Sequence, residues 1–539
     1  MAFIQSVSRN YPYGVSLVCL LLLAFFVFCG LSESDLSFLF KSDTLYLPSM
    51  YKDIYLDGNS LEGWHVNPAP NFFPDMPLFF FLNLCCGSFI KATMFYGIVQ
   101  VGLTSMLIFG LLKKVSANFQ LYGSLMNLML MSFLLVHFVD THFGYSFQLL
   151  VNGYHFSAFI NALFCLNYIF AFLRKQNKLW LFLVVLHGTL SIASDRLFLV
   201  TFVTPAFILG LLMLIKRGKE AIWLILAAVL TGYTGLELFK YIEQSGYVSI
   251  PDPHTFMDFE NIKQSWDILK VQLADWLSLG KLKGWILIGV IASFLLMTIY
   301  TILNIGLITK KSKAKPSNSN LLTALLPIFM LVVFVAPILN GSYTGWDTMR
   351  YNFSSYIIGL GFLPFAVAQF FNPQELRWGK LLKTVCVIPL VVVIFTWVCL
   401  PEKGYRKFVD YCPQRVKALD KVVDKYDLRY GIAPYKDAKV ITMFSKNNLR
   451  VYTVFDGLTP WFHVTNHNWY YKEVSDWGED LKFDFVLAKN QTARETTHEL
   501  LEPILDSLSV ADWTLYKTAD FAFPHDGKNW KPLLSRSAE

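Results

Sequence analysis

Two neighbouring stretches, CLLLLAFFVFCGLS (residues 19–32) and KSDTLYLPSMYKDIY (residues 41–55), decide how this chain folds. The first belongs to an apolar run over residues 12–31, which is long enough to cross about 30 Å of hydrocarbon. Only Arg9 precedes this run and no small-residue cleavage site follows it, so we interpret it as a retained span rather than a signal peptide. The second stretch lies in a polar loop over residues 32–75.

The composition predicts that further spans follow. Of the 539 residues, 54% are hydrophobic and only 16% are charged, which is too apolar for a water-soluble protein of this length. Apolar runs occur near residues 12–31, 92–112, 122–138, 155–173, 179–193, 198–215, 221–240, 284–308, 321–338, 354–371 and 383–400. The predicted fold class is therefore mainly α, a polytopic helical membrane protein with about 11 transmembrane helices.

The loop charges predict the orientation, because lysine and arginine collect in short cytoplasmic loops. Such clusters fall in alternate loops, at residues 113–114, 174–178, 216–219, 310–315 and 377–380. The N-terminus is thus predicted to be cytoplasmic and the tail extracytoplasmic. This alternation requires that the short apolar run of residues 76–90 does not cross the membrane as a separate helix. We therefore expect this run to be re-entrant, interfacial or the outer part of one long tilted helix. The net charge of +7 mostly reflects these loops, and no nucleic-acid partner is expected.

The chain is predicted to have two domains. Residues 1–400 form the membrane domain, with outer loops at 32–75 and 241–283, and the second loop carries an amphipathic segment suited to a membrane surface. Residues 401–539 form a small α/β or α+β domain. Its patterns predict helices at 405–426 and 495–508 and strands at 438–445, 449–455, 483–489 and 512–517.

An aromatic loop, GLTPWFHVTNHNWYY (residues 457–471), is the unusual part of this tail. Its tryptophans could stack on sugar rings, although aromatic residues in a small domain more often belong to the core. Both readings stay open from the sequence.

Ionisable residues gather on one predicted face of the membrane. They are Asp43, Asp53, Asp57 and Asp75 in the first loop, Asp140 and His142 after the third span, His155 before the fourth, Asp195 and Arg196 between the fifth and sixth, and Asp347 and Arg350 after the ninth. Each alone could be a helix cap or a solvated loop residue. Ionisable groups at a membrane boundary are costly unless paired, so the joint pattern predicts one shared site.

These residue types suit transfer from a lipid-linked phosphate. Carboxylates beside imidazoles can hold a hard divalent cation through oxygen ligands, or one carboxylate can be the general base for a hydroxyl. Arginine presents a fixed fork of donors that matches a phosphate leaving group.

In this layout the chain resembles the GT-C superfamily, the polytopic glycosyltransferases that use polyprenyl-phosphate sugars. The resemblance covers residues 1–400 and lies in the number of spans, a terminal extracytoplasmic domain and three short motifs. These motifs are SDTLYLP (residues 42–48), VDTHFGY (residues 139–145) and RYNFSSYIIGLGFLP (residues 350–364). The tail resembles no family.

The resemblance implies site residues. Asp43 would be the catalytic base or a metal ligand, with Asp140 as the second catalytic carboxylate. His142 would bind metal or acceptor, and Arg350, followed by Tyr351, would contact the lipid phosphate. Our own placement argument adds His155, Asp195 and Arg196 as substrate-binding residues. Asp53 or Asp57 could replace Asp43 in its role. Mg²⁺ or Mn²⁺ would be the cofactor, but the first loop lacks the doubled D-x-D or D-E pair of some members, so metal dependence stays open.

The predicted function is transfer of a sugar from a polyprenyl-phosphate donor to a glycan, lipid or protein acceptor on the outer face of a bacterial inner membrane. Membrane lipid is the other expected partner. One alternative is a polymerase or ligase of lipid-linked glycans, and another is an assembly factor with a degenerate site. A third is a transporter or flippase, in which Asp140, His155 and Arg350 line a passage; a transporter should carry charges nearer mid-membrane.

Overall fold

The computed structural model describes residues 12–139, 146–214, 218–251, 258–277, 281–309, 317–370, 378–399, 404–471, 481–523 and 533–534. This described part is mainly helical, with 70% helix in 19 helices. The chain divides into two compact units. The helical unit comprises Met1–Gly30, Asn71–Tyr241 and Pro253–Tyr405, and the mixed unit comprises Leu31–Pro70, Ile242–Asp252 and Arg406–Glu539.

Each apolar run of the sequence forms a helix. In chain order the helices are α1 (Pro12–Gly30), α2 (Glu33–Leu39), α3 (Tyr46–Tyr51), α4 (Asp75–Cys86), α5 (Phe89–Val115), α6 (Phe119–Val139), α7 (Phe156–Lys175), α8 (Leu179–Ser194), α9 (Thr204–Met213), α10 (Gly218–Gln244), α11 (Phe259–Trp276), α12 (Leu282–Thr309), α13 (Asn318–Leu339), α14 (Phe353–Phe370), α15 (Trp378–Cys399), α16 (Tyr405–Val409), α17 (Gln414–Tyr426), α18 (Tyr435–Phe444) and α19 (Gln491–Leu500).

Seven of the described helices are long and apolar enough to cross a membrane: α1, α5, α6, α7, α10, α12 and α13. The protein is therefore a multi-pass membrane protein. Burial differs strongly among these helices, since 89% of the apolar window of α7 is buried but only 28% of that of α12. A helix that exposes so much apolar surface is stable in contact with lipid and costly in water. Shorter apolar helices, among them α8, α14 and the end of α15, occupy the remaining runs.

The short run near residue 76 forms a helix of its own. Helix α4 has 12 residues and ends at Cys86. The next residue, Gly87, caps it with a φ of 61° in the left-handed region, and α5 then begins at Phe89. Gly tolerates this backbone conformation and commonly ends helices. The idea that this run is the outer part of one long helix is therefore wrong. At about 18 Å, α4 is also too short to cross the hydrocarbon alone.

The described strands of the mixed unit form two sheets, one of six strands and one of three. The nine strands are β1 (Trp64–His65), β2 (Val248–Ser249), β3 (Tyr430–Pro434), β4 (Arg450–Val454), β5 (Thr465–Asn466), β6 (Phe483–Ala488), β7 (Ile504–Val510), β8 (Trp513–Ala522) and β9 (Leu533–Leu534). The main sheet has the order β4-β3-β6-β8-β7, with β9 against β8. Strand β3 is parallel to β4 and β6, whereas β8 is antiparallel to β6 and β7.

Two tail predictions are wrong. Residues 438–445 form no strand, since residues 438–444 belong to helix α18. Its buried residues include Ala438, Ile441 and Phe444, which lie on one helix face, together with Asp437, Lys439 and Val440. The predicted helix over 495–508 ends at Leu500, and residues 504–510 form β7. The predicted strands at 449–455, 483–489 and 512–517 are confirmed as β4, β6 and β8. Strand β3 is an addition that the sequence did not reveal.

A second, three-stranded sheet joins distant parts of the mixed unit. Strand β1 pairs in parallel with β2 and antiparallel with β5. These strands come from the first loop, the second loop and the tail. Residues 31–70 and 242–252 therefore fold with the tail as one unit, a grouping that the sequence did not predict.

Candidate functional site

Asp43 lies in a short turn between α2 and α3, and the tail holds it in place. The Ser42 hydroxyl donates a hydrogen bond to the Tyr435 carbonyl at 2.6 Å, and the Tyr435 hydroxyl donates to Asp43 Oδ1 at 2.6 Å. The Lys41 Nζ lies 3.9 Å from the other carboxylate oxygen. The Asp43 side chain remains 41% exposed. Its carboxylate is therefore oriented by Tyr435 and still open to a ligand.

Lys439 is the second notable charge near Asp43. It lies one helical turn after Tyr435 on α18, and its Nζ is 5.5 Å from the centre of the Tyr435 ring. The residue is only 4% exposed. Burial lowers the pKa of Lys439 to about 7, against the raising effect of the Asp43 charge. Within the described part of the chain its Nζ has no hydrogen-bond partner.

Four side chains form what we call the aromatic cluster: Tyr435, Phe455, Trp461 and His463. The Trp461 ring stacks on Phe455 at 4.8 Å and on His463 at 5.5 Å. The Tyr435 ring lies 4.9 Å from Trp461 and 5.2 Å from His463. Burial and the nearby Lys439 lower the pKa of His463, which favours the neutral imidazole at physiological pH. Trp461 and His463 are half-buried, so one side of the cluster is accessible.

Asp53 is a buried acceptor in the mixed unit and is only 1% exposed. The indole N–H groups of Trp64 and Trp469 donate to it at 2.7 and 2.6 Å, and the side-chain amides of Asn59 and Asn466 donate at 2.6 and 3.3 Å. Burial raises the pKa of Asp53 although these bonds oppose it. Its four donors give Asp53 a structural role.

Asp57 is likewise held by a tail residue. Arg450 donates two hydrogen bonds to its two carboxylate oxygens, at 2.7 and 2.5 Å, and Lys52 donates a third at 3.2 Å. A bidentate guanidinium pair of this kind is among the stronger side-chain interactions. Of the three first-loop acids considered for catalysis, Asp43 is the accessible one.

A separate cluster lies in the helical unit. His155 Nδ1 and Asp195 Oδ2 are 2.8 Å apart, and the Leu197 backbone N–H donates to the other Asp195 oxygen at 2.9 Å. His155 precedes α7 with a φ of 64°, a conformation that costs energy for a non-glycine residue and recurs at functional sites. Asp75, which is buried and accepts from the Tyr96 hydroxyl, interacts electrostatically with both His155 and Asp195.

Arg350 and Tyr351 extend this cluster. The Arg350 guanidinium lies over the rings of Tyr154 and Tyr351 at 5.3 and 5.2 Å, and it donates to the Tyr351 hydroxyl at 3.4 Å. The Tyr351 ring in turn lies 5.2 Å from the His155 ring. Four residues predicted to bind substrate, His155, Asp195, Arg350 and Tyr351, thus come together.

The remaining predicted residues do not join this cluster in the described contacts. Arg196 lies over the Phe239 ring at 4.5 Å. Asp140 and His142 fall outside the described residues. Asp75, by contrast, was only one of several loop acids in the sequence, and its closeness to Asp195 became visible in the fold.

No protein-family model matches this chain, and no curated protein is significantly similar to it. The GT-C resemblance therefore stays a prediction from layout and short motifs.

A divalent cation does not fit the residues around Asp43. Across the described residues no three His, Cys, Asp or Glu side chains converge as a metal-binding group. Lys41 and the buried Lys439 lie close to Asp43 instead, and their positive charges oppose a cation there.

Replacing Lys439 by Met is expected to stabilise the mixed unit at pH 7. The pKa of Lys439 falls from 10.5 to about 7 on folding, so between these values the unfolded state binds more protons and the stability of the wild type rises with pH. The gain from Lys439→Met should thus be largest at and below pH 7 and shrink toward pH 10. Thermal unfolding followed by tryptophan fluorescence measures it, and Lys436→Met, at an exposed position of the same helix, is the matched control. Equal unfolding temperatures for Lys439→Met and the wild type at pH 7 would show that the buried amine carries no penalty.

Proposed function

We propose that this protein is a membrane glycosyltransferase that moves a sugar from a polyprenyl-phosphate donor to a glycan, lipid or protein acceptor on the outer face of a bacterial inner membrane. The supporting observation is the Asp43 carboxylate, which is 41% exposed and oriented by the Tyr435 hydroxyl at 2.6 Å. A positioned, accessible carboxylate is what a general base requires. Its place shortly after the first apolar helix matches the resemblance.

Asp43 acts on the acceptor hydroxyl in this proposal. The hydroxyl oxygen attacks the anomeric carbon of the donor sugar while the Asp43 carboxylate takes the proton. The bond between that carbon and the phosphate oxygen breaks, and the polyprenyl phosphate leaves with the electron pair. The Tyr435 hydrogen bond fixes the direction of the carboxylate, so that it does not have to be ordered during the reaction.

Arg350 in the helical unit is the proposed contact for the donor phosphate. Its guanidinium lies over Tyr154 and Tyr351, and stacking restricts the side chain before a ligand arrives, which lowers the entropic cost of binding. Arginine suits a phosphate better than lysine because its fork can donate two parallel hydrogen bonds.

Replacing Arg350 by Ala is expected to weaken donor binding about tenfold to a hundredfold, the value of roughly one charge-assisted hydrogen bond. Binding of a short-chain polyprenyl phosphate to the purified protein in nanodiscs measures this directly. Arg350→Lys should recover only part of the affinity, since it keeps the charge and loses the fork. Wild-type affinity in Arg350→Ala would remove Arg350 from the donor site.

A further inference from the structure

The buried ammonium of Lys439 is an unusual feature of the mixed unit. At 4% exposure, and with no hydrogen-bond partner for its Nζ within the described residues, it loses hydration without replacing it. Such a group is costly, and a methionine would fill the same space more favourably. The face of the Tyr435 ring, 5.5 Å away, offsets only part of this cost. The arrangement suits a ligand that brings an acceptor of hydrogen bonds.

The aromatic cluster beside Lys439 presents its exposed outer side to such a ligand. The Trp461 ring is nearly parallel to Phe455 and to His463, with interplanar angles of 21° and 19°. Phe455 is 49% exposed, so the stack reaches the surface of the unit. Aromatic side chains with a few converging polar groups are typical of ligand sites. An extended stack next to hydrogen-bonding groups fits the apolar face of a sugar ring.

We infer that the mixed unit carries a binding site for an acidic saccharide, with the sugar ring against the exposed side of the aromatic cluster and its carboxylate or phosphate group on the Lys439 ammonium. Naming this saccharide as the acceptor rests on the proposed function, because Asp43 would then receive the proton of a hydroxyl on the same sugar.

The charges favour an acidic sugar over a neutral one. Asp43 already accepts from Tyr435 and lies 3.9 Å from Lys41, whereas Lys439 has no anion in direct contact within the described residues. A neutral sugar leaves the ammonium with weak acceptors, while an anionic group forms charge-assisted hydrogen bonds that are about twice as strong. The neutral state of His463 allows it to face the sugar without adding a second buried charge.

Binding of small sugars to the full-length protein in nanodiscs tests this site. The probes are glucose, glucuronate, glucose 6-phosphate and inorganic phosphate, and tryptophan fluorescence or ligand-detected NMR reports their affinities. We expect at least one acidic sugar to bind about tenfold tighter than glucose, and Lys439→Met to remove that difference. Lys436→Met should bind as the wild type does. The two acidic sugars show whether a carboxylate or a phosphate is preferred.

Two further probes separate a sugar site from a simple anion site. Trp461→Ala should weaken the binding of glucose and of the acidic sugars by the same factor, because it removes a central ring of the aromatic cluster and leaves Lys439 in place. Inorganic phosphate should bind more weakly than glucose 6-phosphate. The inference is overturned if glucose binds as tightly as both acidic sugars, if none of the sugars binds, or if Lys439→Met leaves the preference unchanged.

Asp43→Asn distinguishes this inference from the proposed function. Asp43→Asn should stop transfer while the acidic sugar still binds, because the aromatic cluster and Lys439 both remain. If the wild type binds the acidic sugar but transfers none, the proposed function fails and the binding site stands. If transfer proceeds to a neutral acceptor and Lys439→Met does not raise its KM, the acidic-saccharide site fails and the proposed function stands.

Discussion

Asparagine in place of Asp43 is expected to reduce sugar transfer by about 10²–10⁴-fold, the usual contribution of a general base. The change removes the proton acceptor but keeps an oxygen that can accept from the Tyr435 hydroxyl, so the local structure should persist. The side chain is 41% exposed, and the free energy of unfolding should change little. The measurement is the rate of transfer from a polyprenyl-phosphate sugar by the purified protein, together with its unfolding temperature.

Two companion variants sharpen this test. Tyr435→Phe removes the orienting hydroxyl and should lower the rate less than Asp43→Asn does, because the base remains. Asp456→Asn changes an exposed acid of the same unit and should leave the rate unchanged. Transfer by Asp43→Asn at the wild-type rate would take the catalytic role from Asp43.

Asp53→Asn is expected to destabilise the mixed unit by roughly 2–5 kcal/mol, because buried donors lose their acceptor. Trp469 and Asn59 donate to one carboxylate oxygen, and Trp64 and Asn466 donate to the other. An amide can accept at only one of these positions, and its NH₂ group must face two donors at the other. Trp64 and Trp469 lie at the site, so tryptophan fluorescence during heating reports the loss.

The same variant separates structure from chemistry. Asp53→Asn should lower the yield of folded protein, while the transfer rate of each folded molecule stays near that of the wild type. Asp43→Asn should do the reverse, with a normal yield of folded protein and a much lower transfer rate. Asp456→Asn serves again as the control. An unchanged unfolding temperature in Asp53→Asn would mean that these four donors contribute little to the stability of the unit.

The helices of the membrane body could be predicted because the length of an apolar run is a local property. The fate of residues 76–90 required the structure, since the end of α4 depends on the backbone conformation at Gly87. In the tail, the run of β-branched residues in KVIT (residues 439–442) suggested a strand. Burial at helical spacing against the sheet overrode that propensity and produced α18.

The candidate site, too, could be predicted from the sequence only in part. Asp43 was singled out by its place after the first span, but its partner Tyr435 is 392 residues away, and no local pattern predicts such a pairing. Recognising α18 as a helix would have placed Tyr435 and Lys439 on one face, since they are four residues apart. In the aromatic loop, Trp469 is buried at 8% exposure, as the core interpretation predicts. Trp461 stays half-buried, and stacking of its ring on a sugar stays a prediction.

Mass spectrometry of glycans and lipid extracts tests the central claim most directly. It compares three strains: one that lacks the gene, and the same deletion strain complemented with either the wild-type gene or the Asp43→Asn variant. The proposed function predicts that the deletion accumulates a polyprenyl-phosphate sugar and lacks one sugar increment on an envelope glycan, lipid or protein. The wild type should restore that increment, and Asp43→Asn should not. Identical masses with and without the protein, or full restoration by Asp43→Asn, would contradict the claim that this chain transfers a lipid-linked sugar through Asp43.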